Sequence, residues 1–383
     1  LLKDFGASDR LIFSADDYRD LGNSKVIASL QTLFNDPDFL KLYALFLLVH
    51  SQRSLSMCSF RLFGVEKPKE KEVLSTKVTQ EDLEDAVEDE LGVKYSKDGK
   101  RMLEAPEYLG GEYTIRKGTK VICDGAFWAC EKLSSIHIPD SVTSIGDRAF
   151  YNCKSLTPIH IPDSVTSIGE YAFECCENLT SIHIPDSVTS LGYGAFDHCN
   201  LTSIHISDSV TCIGDYTFYH CENLTFIHIP DSVTSIGDRA FKNCESLTSI
   251  HIPDSVTSIG EEAFSNCEDL TSIHIPDNVT SLGGSAFDGC NKLTSIHIPD
   301  NVTSIGDYAF ENCNNLTSIH IPDSVTSIGD SAFKNCENLT SIHIPNSVTS
   351  IGDSAFNGCK KLTSITLPQG VKTINEEPFS GCI

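Results

Sequence analysis

The sequence predicts an α/β solenoid: about twelve rungs of 23 residues, a parallel sheet along one face, short helical turns opposite, and a small N-terminal segment in front. Three observations carry this. A leucine recurs at Leu133, Leu156, Leu179, Leu201, Leu224, Leu247, Leu270, Leu293, Leu316, Leu339 and Leu362, always 23 residues apart except for 22 between Leu179 and Leu201. Each interval repeats one phrase, Leu-Thr-Ser-Ile-His-Ile-Pro-Asp-Ser-Val-Thr-Ser-Ile-Gly-x-x-Ala-Phe-x-x-Cys, with few changes. The apolar positions of one phrase cannot close a core by themselves, so neighbouring rungs must stack to share one.

The rung that opens at Leu133 shows the logic. Ile136, His137 and Ile138 alternate apolar, polar, apolar, the pattern of a half-buried strand. Ile136 and Ile138 are expected to face in, Ser135 and His137 out. Pro139 and Asp140 end the strand, since proline has no donor for a ladder and aspartate bonds nearby backbone. Val142 and Ile145 return to the interior. Gly146 is expected to supply a positive φ for a sharp turn. Asp147 is placed to cap a short helical turn with Ala149, Phe150 and Cys153 on one face.

Both end rungs drift. The first keeps Tyr113, Ile115, Ile122, Ala126, Phe127 and Cys130 but has Gly110 in place of the leucine. The last has Thr366 for histidine, Asn375 for glycine and Pro378 for alanine. One side of a terminal rung meets water, which relaxes its sequence; a truncated chain is the alternative.

Residues 1–109 carry no repeat. Three parts are expected: an N-terminal segment over 1–72, helical or poorly ordered; an acidic helix and hairpin cap over 73–109; and the solenoid over 110–383. Residues 66–72 are charged, mixed in sign and broken by Pro68, as in a linker. Thr79 is placed to cap a helix over 80–91, with Asp82 three residues on and Gly92 as its stop. Its seven acids read as a solvated face or as a docking surface. Val93 to Tyr95 and Arg101 to Leu103 flank Lys97-Asp98-Gly99, a hairpin signal. Helix and hairpin are expected to cover the first rung. The apolar stretch at 39–49 is too short to span a bilayer and sits poorly for a signal peptide.

Net charge is −25, about −5 from residues 1–109 (20 acids, 15 bases) and −20 from the rest (33 acids, 13 bases). No basic patch is visible, which argues against nucleic acid or an anionic membrane. A protein partner with a basic or neutral surface is favoured. Of 16 cysteines, twelve occupy the rung position from Cys130 to Cys382. That regularity beside an inward phenylalanine reads as buried free thiols; zinc needs convergent ligands, which a stack does not offer. No cofactor is expected.

The rung motif Leu-x-x-Ile-x-Ile-Pro-x-x-Val-x-x-Ile-Gly-x-x-Ala-Phe-x-x-Cys resembles the BspA-like, Treponema-type leucine-rich repeats, over about residues 110–383. Residues 95–101 also resemble a segment that precedes such repeats in bacterial members. The resemblance implies a leucine-rich repeat solenoid and a non-enzymatic role, commonly adhesion at the cell surface. It implies a cell-surface or secreted location, with a cytoplasmic one as the alternative. It carries over no functional residue.

Ten histidines hold the same outward position: His137, His160, His183, His205, His228, His251, His274, His297, His320 and His343. Ser-His-Asp catalysis needs one pocket with an oxyanion hole, which an open array lacks. Metal binding is an alternative, although rings pointing the same way chelate poorly. A third reading is an adhesive face tuned by pH, since free histidine titrates near 6.5. The plainest is that duplication copied a tolerated residue.

Where rungs differ, one region stands out. Between Tyr193 and Pro230 one residue is missing, Ser207, Cys212 and Thr217 replace the usual proline, serine and alanine, and Phe226 replaces an outward serine. Tyr193, His198, Tyr216, Tyr219 and His220 crowd the variable turn positions there. Interface energy concentrates in aromatic anchors, so Phe226, with His205, His228, His251, His274 and His297 around it, is the candidate protein-binding site. A purely structural spacer is the alternative role, together with a metal-binding histidine array.

Overall fold

The computed structural model describes residues 74–363, 365–367, 369–374 and 377–382. The expectations for residues 1–72 and for Asn375 lie outside the described residues.

The chain enters through a capped helix. Thr79 Oγ1 accepts from the Asp82 N–H at 3.1 Å and the Asp82 carboxylate accepts from the Thr79 N–H at 2.9 Å, a reciprocal box that starts α1 (Gln80–Glu84). The expected helix to residue 91 does not form. Asp89 accepts from the N–H groups of Leu91 and Val93, both at 2.9 Å, a side-chain turn that competes with helix. Acids repeated at helical spacing would also repel. The segment instead makes β1 (Val87–Glu88), turns at Gly92 with φ +80°, and pairs antiparallel with β2 (Lys94–Tyr95). The hairpin to β3 (Arg101–Glu104) is as read from the sequence. β3 then lies parallel to β5 (Val121–Ile122), and Leu74, Val78, Leu83 and Ala86 pack on Leu103, Val121 and Cys123.

From there each rung contributes to two parallel ladders. The first holds the histidines. It begins with β4 (Gly110–Thr114) against β6 (Lys132–His137) and is longest from Phe226–His228 to Ile365–Thr366, seven strands in unbroken register. Pro158 has no donor, and its rung is reduced to a bridge between His160 and His183. The second ladder is made of the Ser-Ile pairs, such as Ser144–Ile145 on Ser167–Ile168. Gly110 sits where a Cβ would lie 2.8 Å from Lys132 Cβ, and Leu109, one residue earlier, joins the core.

Between the ladders runs one continuous core. Ile136, Ile138, Val142, Ile145, Ala149, Phe150 and Cys153 are all buried, as are their counterparts through the rung that opens at Leu339, whereas Leu367 and Ile374 in the last rung are exposed. Phenylalanines from Phe127 to Phe379 stack ring on ring, centroids 5.1–5.8 Å apart and planes within 17°. Each fully buried phenylalanine contributes about 2–3 kcal/mol, available only if both neighbours are folded.

The side opposite the histidines is not helical; the expected helical turns are consecutive tight turns. Tyr151 N–H donates to the Arg148 carbonyl and Cys153 N–H to Phe150, while alternate N–H groups leave the rung: Arg148 to Glu170, Phe150 to Ala172 and Asn152 to Glu174, at 2.7–2.8 Å. Arg148 and Asn152 have φ +53° and +58°, and the same two positions are left-handed in most rungs. A helix would satisfy these groups internally; here they tie rung to rung.

Two further expectations need correcting. Gly146 does not have a positive φ; a Cβ there would lie 2.6 Å from the Asp124 nitrogen and 2.8 Å from the Cys123 carbonyl carbon. The glycine is required because adjacent backbones touch. Asp147 caps no helix within its rung; its Oδ1 accepts from the N–H of Glu170 in the next, at 2.9 Å.

These ties fall into groups of four rungs. Asp124, Asp147, Asp215, Asp238, Asp307 and Asp330 each accept from the following rung. Glu170 with Tyr193, and Glu261 with Gly284, interrupt the series. The second ladder stops at the same places, after Leu191 and after Leu282. The sequence carries the longer period too: Asp-Arg-Ala-Phe stands at 147–150 and again at 238–241, and Ser-Leu-Gly at 190–192 and 281–283.

Candidate functional site

A strand alternates its side chains, so a residue between two buried isoleucines must point to water. All ten ladder histidines are exposed. His228, His251, His274 and His297 lie in one continuous register on adjacent strands. His205 belongs to a separate pair, Ser203–His205 on Ser181–His183, and that pair shares no ladder bond with Phe226–His228. The His183 and His205 rings stack face to face, 4.8 Å between centroids and 6° between planes. Among the described residues no three His, Cys, Asp or Glu side chains are grouped to hold a metal ion.

Phe226 pairs with Ser249 and is 56% exposed. It is the single large apolar side chain exposed on the histidine-bearing strands among the described residues. It stands on the first strand of the seven-stranded run, beside the gap in the ladder. The predicted group is thus brought together around Phe226, His228, His251, His274 and His297, with His205 across the gap.

The turn face holds a cluster that extends beyond the aromatic residues evident in the sequence. Tyr193 stacks on Tyr216 at 4.9 Å, and Tyr216 carries the Arg239 guanidinium 5.3 Å above its ring. His198 and His220 stack at 4.4 Å. Beneath them Asp197 is buried, with His198 Nδ1 2.6 Å from its Oδ1. Burial raises the Asp197 carboxyl above the usual range. Burial, reinforced by Asp197, pushes the Glu174 carboxyl up to about 7, against the opposing pull of Arg148 and His198. Glu174 and Asp197 occupy a variable position after Ala-Phe, and nothing in a single rung marks Glu174 as half-buried or Asp197 as buried.

Cysteine geometry is uniform. From Cys153 on, each rung thiol is buried or nearly so and donates to a phenylalanine carbonyl of the previous rung, for example Cys267 Sγ to Phe241 at 3.2 Å, while Cys130 in the first rung donates to the Pro106 carbonyl at 3.5 Å. Burial pushes Cys130 and Cys359 up to about 12 and the deeper thiols higher still.

A rung that repeats inward leucine, isoleucine, valine, phenylalanine and cysteine at fixed offsets matches a family model described as BspA type Leucine rich repeat region, over residues 111–225, 211–340 and 280–383. The chain belongs to the BspA-type leucine-rich repeat family. Two solved structures agree in fold. A leucine-rich repeat protein from Bacteroides ovatus is 31% identical, with 78% of this chain and 90% of that one covered and a TM-score of 0.53. One from Eubacterium ventriosum is 26% identical over 71% and 82% of the two chains, with a TM-score of 0.54. A leucine rich cell surface protein from Faecalibacterium prausnitzii is 29% identical over 76% and 94%, with a TM-score of 0.45. No protein of curated function matches the chain. Among the described residues of this BspA-type protein, no helix is long and apolar enough to cross a membrane.

Proposed function

We propose that this BspA-type repeat protein binds another protein, without catalysis, through its histidine-bearing strand face, and that Phe226 is the anchor. The observation that carries this is the 56% exposure of Phe226 on a face lined, from Phe226 to His343, otherwise by histidine, serine and threonine. An exposed aromatic surrounded by polar groups has the make-up of an interface hot spot. His228, His251, His274 and His297 extend the contact along the rungs, and His205 closes it on the other side. The acid surplus favours a partner with a basic or neutral surface. A cell-surface or secreted setting, where such a face meets foreign proteins, is part of this proposal. The test is the affinity of a strand-face partner for wild type and for Phe226→Ser. A loss of more than about tenfold with unchanged unfolding supports the reading; an unchanged affinity removes Phe226 from it.

A further inference from the structure

We propose that the outer edge of β4 is a second docking site, which takes an extended cationic peptide segment as an added strand. β4 opens the histidine-bearing sheet and is paired on one side only, with β6. The cap leaves the other side open because β3 pairs with β5 in the other ladder. Ile115 N–H donates to the His137 carbonyl at 3.1 Å, so the alternation of the strand turns the N–H and C=O of Glu112 and Thr114 toward the open edge. Among the described residues no strand meets them.

The turn after β1 stands beside this edge and makes one wall of a groove with Glu88, Asp89, Glu90, Leu91, Glu112 and Arg116 in its lining. Asp89 is committed, accepting from the Tyr113 hydroxyl at 2.6 Å and from two backbone N–H groups, which fixes the wall. Arg116 is committed over the Tyr95 ring at 4.4 Å. Glu88, Glu90 and Glu112 are exposed and enter no ion pair among the described residues. Leu91 in its lining is 50% exposed, and Tyr108, 73% exposed, lines an adjoining depression that shares Leu91. Open edges are commonly blunted by lysine or covered; among the described residues no strand covers this edge, and the groove lining holds no lysine but several carboxylates and an apolar seat at Leu91. Strand addition takes affinity from main-chain bonds and specificity from alternate side chains. Lysine or arginine alternating with apolar residues matches what the groove offers.

The test uses the full chain and a fluorescent peptide of alternating lysine and valine, beside the same peptide N-methylated at alternate backbone nitrogens. The first peptide is expected to bind. The N-methylated one, and the first peptide on an E88Q/E90Q/E112Q variant of unchanged circular dichroism, are each expected to bind at least about tenfold more weakly. Amide exchange at Glu112 and Thr114 should slow on binding. The proposal is overturned by absence of binding, by equal affinity of the N-methylated peptide, by protection confined to the rungs around Phe226, or by self-association of the free chain that protects Glu112 and Thr114.

Discussion

The thiol of Cys244 donates to the carbonyl of Phe218, one rung earlier, at 3.2 Å. The same carbonyl accepts from the Cys221 N–H, also at 3.2 Å. A carbonyl has two lone pairs, and in a dry interior both are best used. The cysteine column therefore acts as more than a small apolar filler. Cys244→Ala is expected to cost about 1–3 kcal/mol, from a small void and a half-satisfied carbonyl. Hydrogen exchange should place the loss in the rungs on either side of the substitution.

Chemical reactivity follows from the same burial. Thiols such as Cys153, Cys199 and Cys313 are pushed far up by desolvation, so they stay protonated at pH 8 and out of reach of reagents. A thiol titration of the folded chain should be slow at these positions and complete only after denaturation. Among the described residues Cys175, Cys212 and Cys382 are partly exposed and are expected to modify first.

Glycine tests the contact between rungs. A Cβ on Gly260 would lie 2.5 Å from the Asp238 nitrogen and from the Gly237 carbonyl carbon. On Gly214, which follows the ladder stop after Leu191, the nearest atom would be Thr217 Oγ1 at 3.5 Å. Gly260→Ala should destabilise by about 3 kcal/mol or more through forced backbone separation, and Gly214→Ala by less than about 1 kcal/mol. Urea unfolding of the two variants checks this.

A pH effect is expected from Glu174. Its carboxyl is raised from 4.5 to about 7 by burial first and by Asp197 second. A raised acid binds more protons folded than unfolded, so its contribution to stability falls as pH rises from about 4.5 to 7. Glu174→Gln should remove that part of the dependence and leave the variant more stable than wild type at pH 8. Thermal unfolding from pH 5 to pH 8 would reveal it.

Much of the rung was legible because it rests on alternation. The inward set from Leu133 to Cys153, the outward histidines and the exposure of Phe226 all follow from strand geometry and a fixed period. What was not legible depends on the neighbouring rung. Gly146 looked like a turn residue and is a contact residue. Asp147 looked like a helix cap and ties the next rung. Arg148 and Tyr171 adopt a left-handed backbone that their residue types do not favour, held there by N–H bonds to Glu170 and Tyr193. At 80–91 the acidic run had helical spacing, but Asp89 captured the backbone. The four-rung grouping was present in the sequence at Tyr193 and Gly284, masked by the stronger period of 23 residues.

The strand-face reading is tested most directly by photo-crosslinking. A photoreactive phenylalanine analogue at position 226, and separately at turn-face position 354, is exposed to the partner under identical conditions. The account predicts a covalent adduct at 226, competed by unlabelled wild type, and none at 354. Equal yields at both positions, or an adduct at 354 alone, would contradict it.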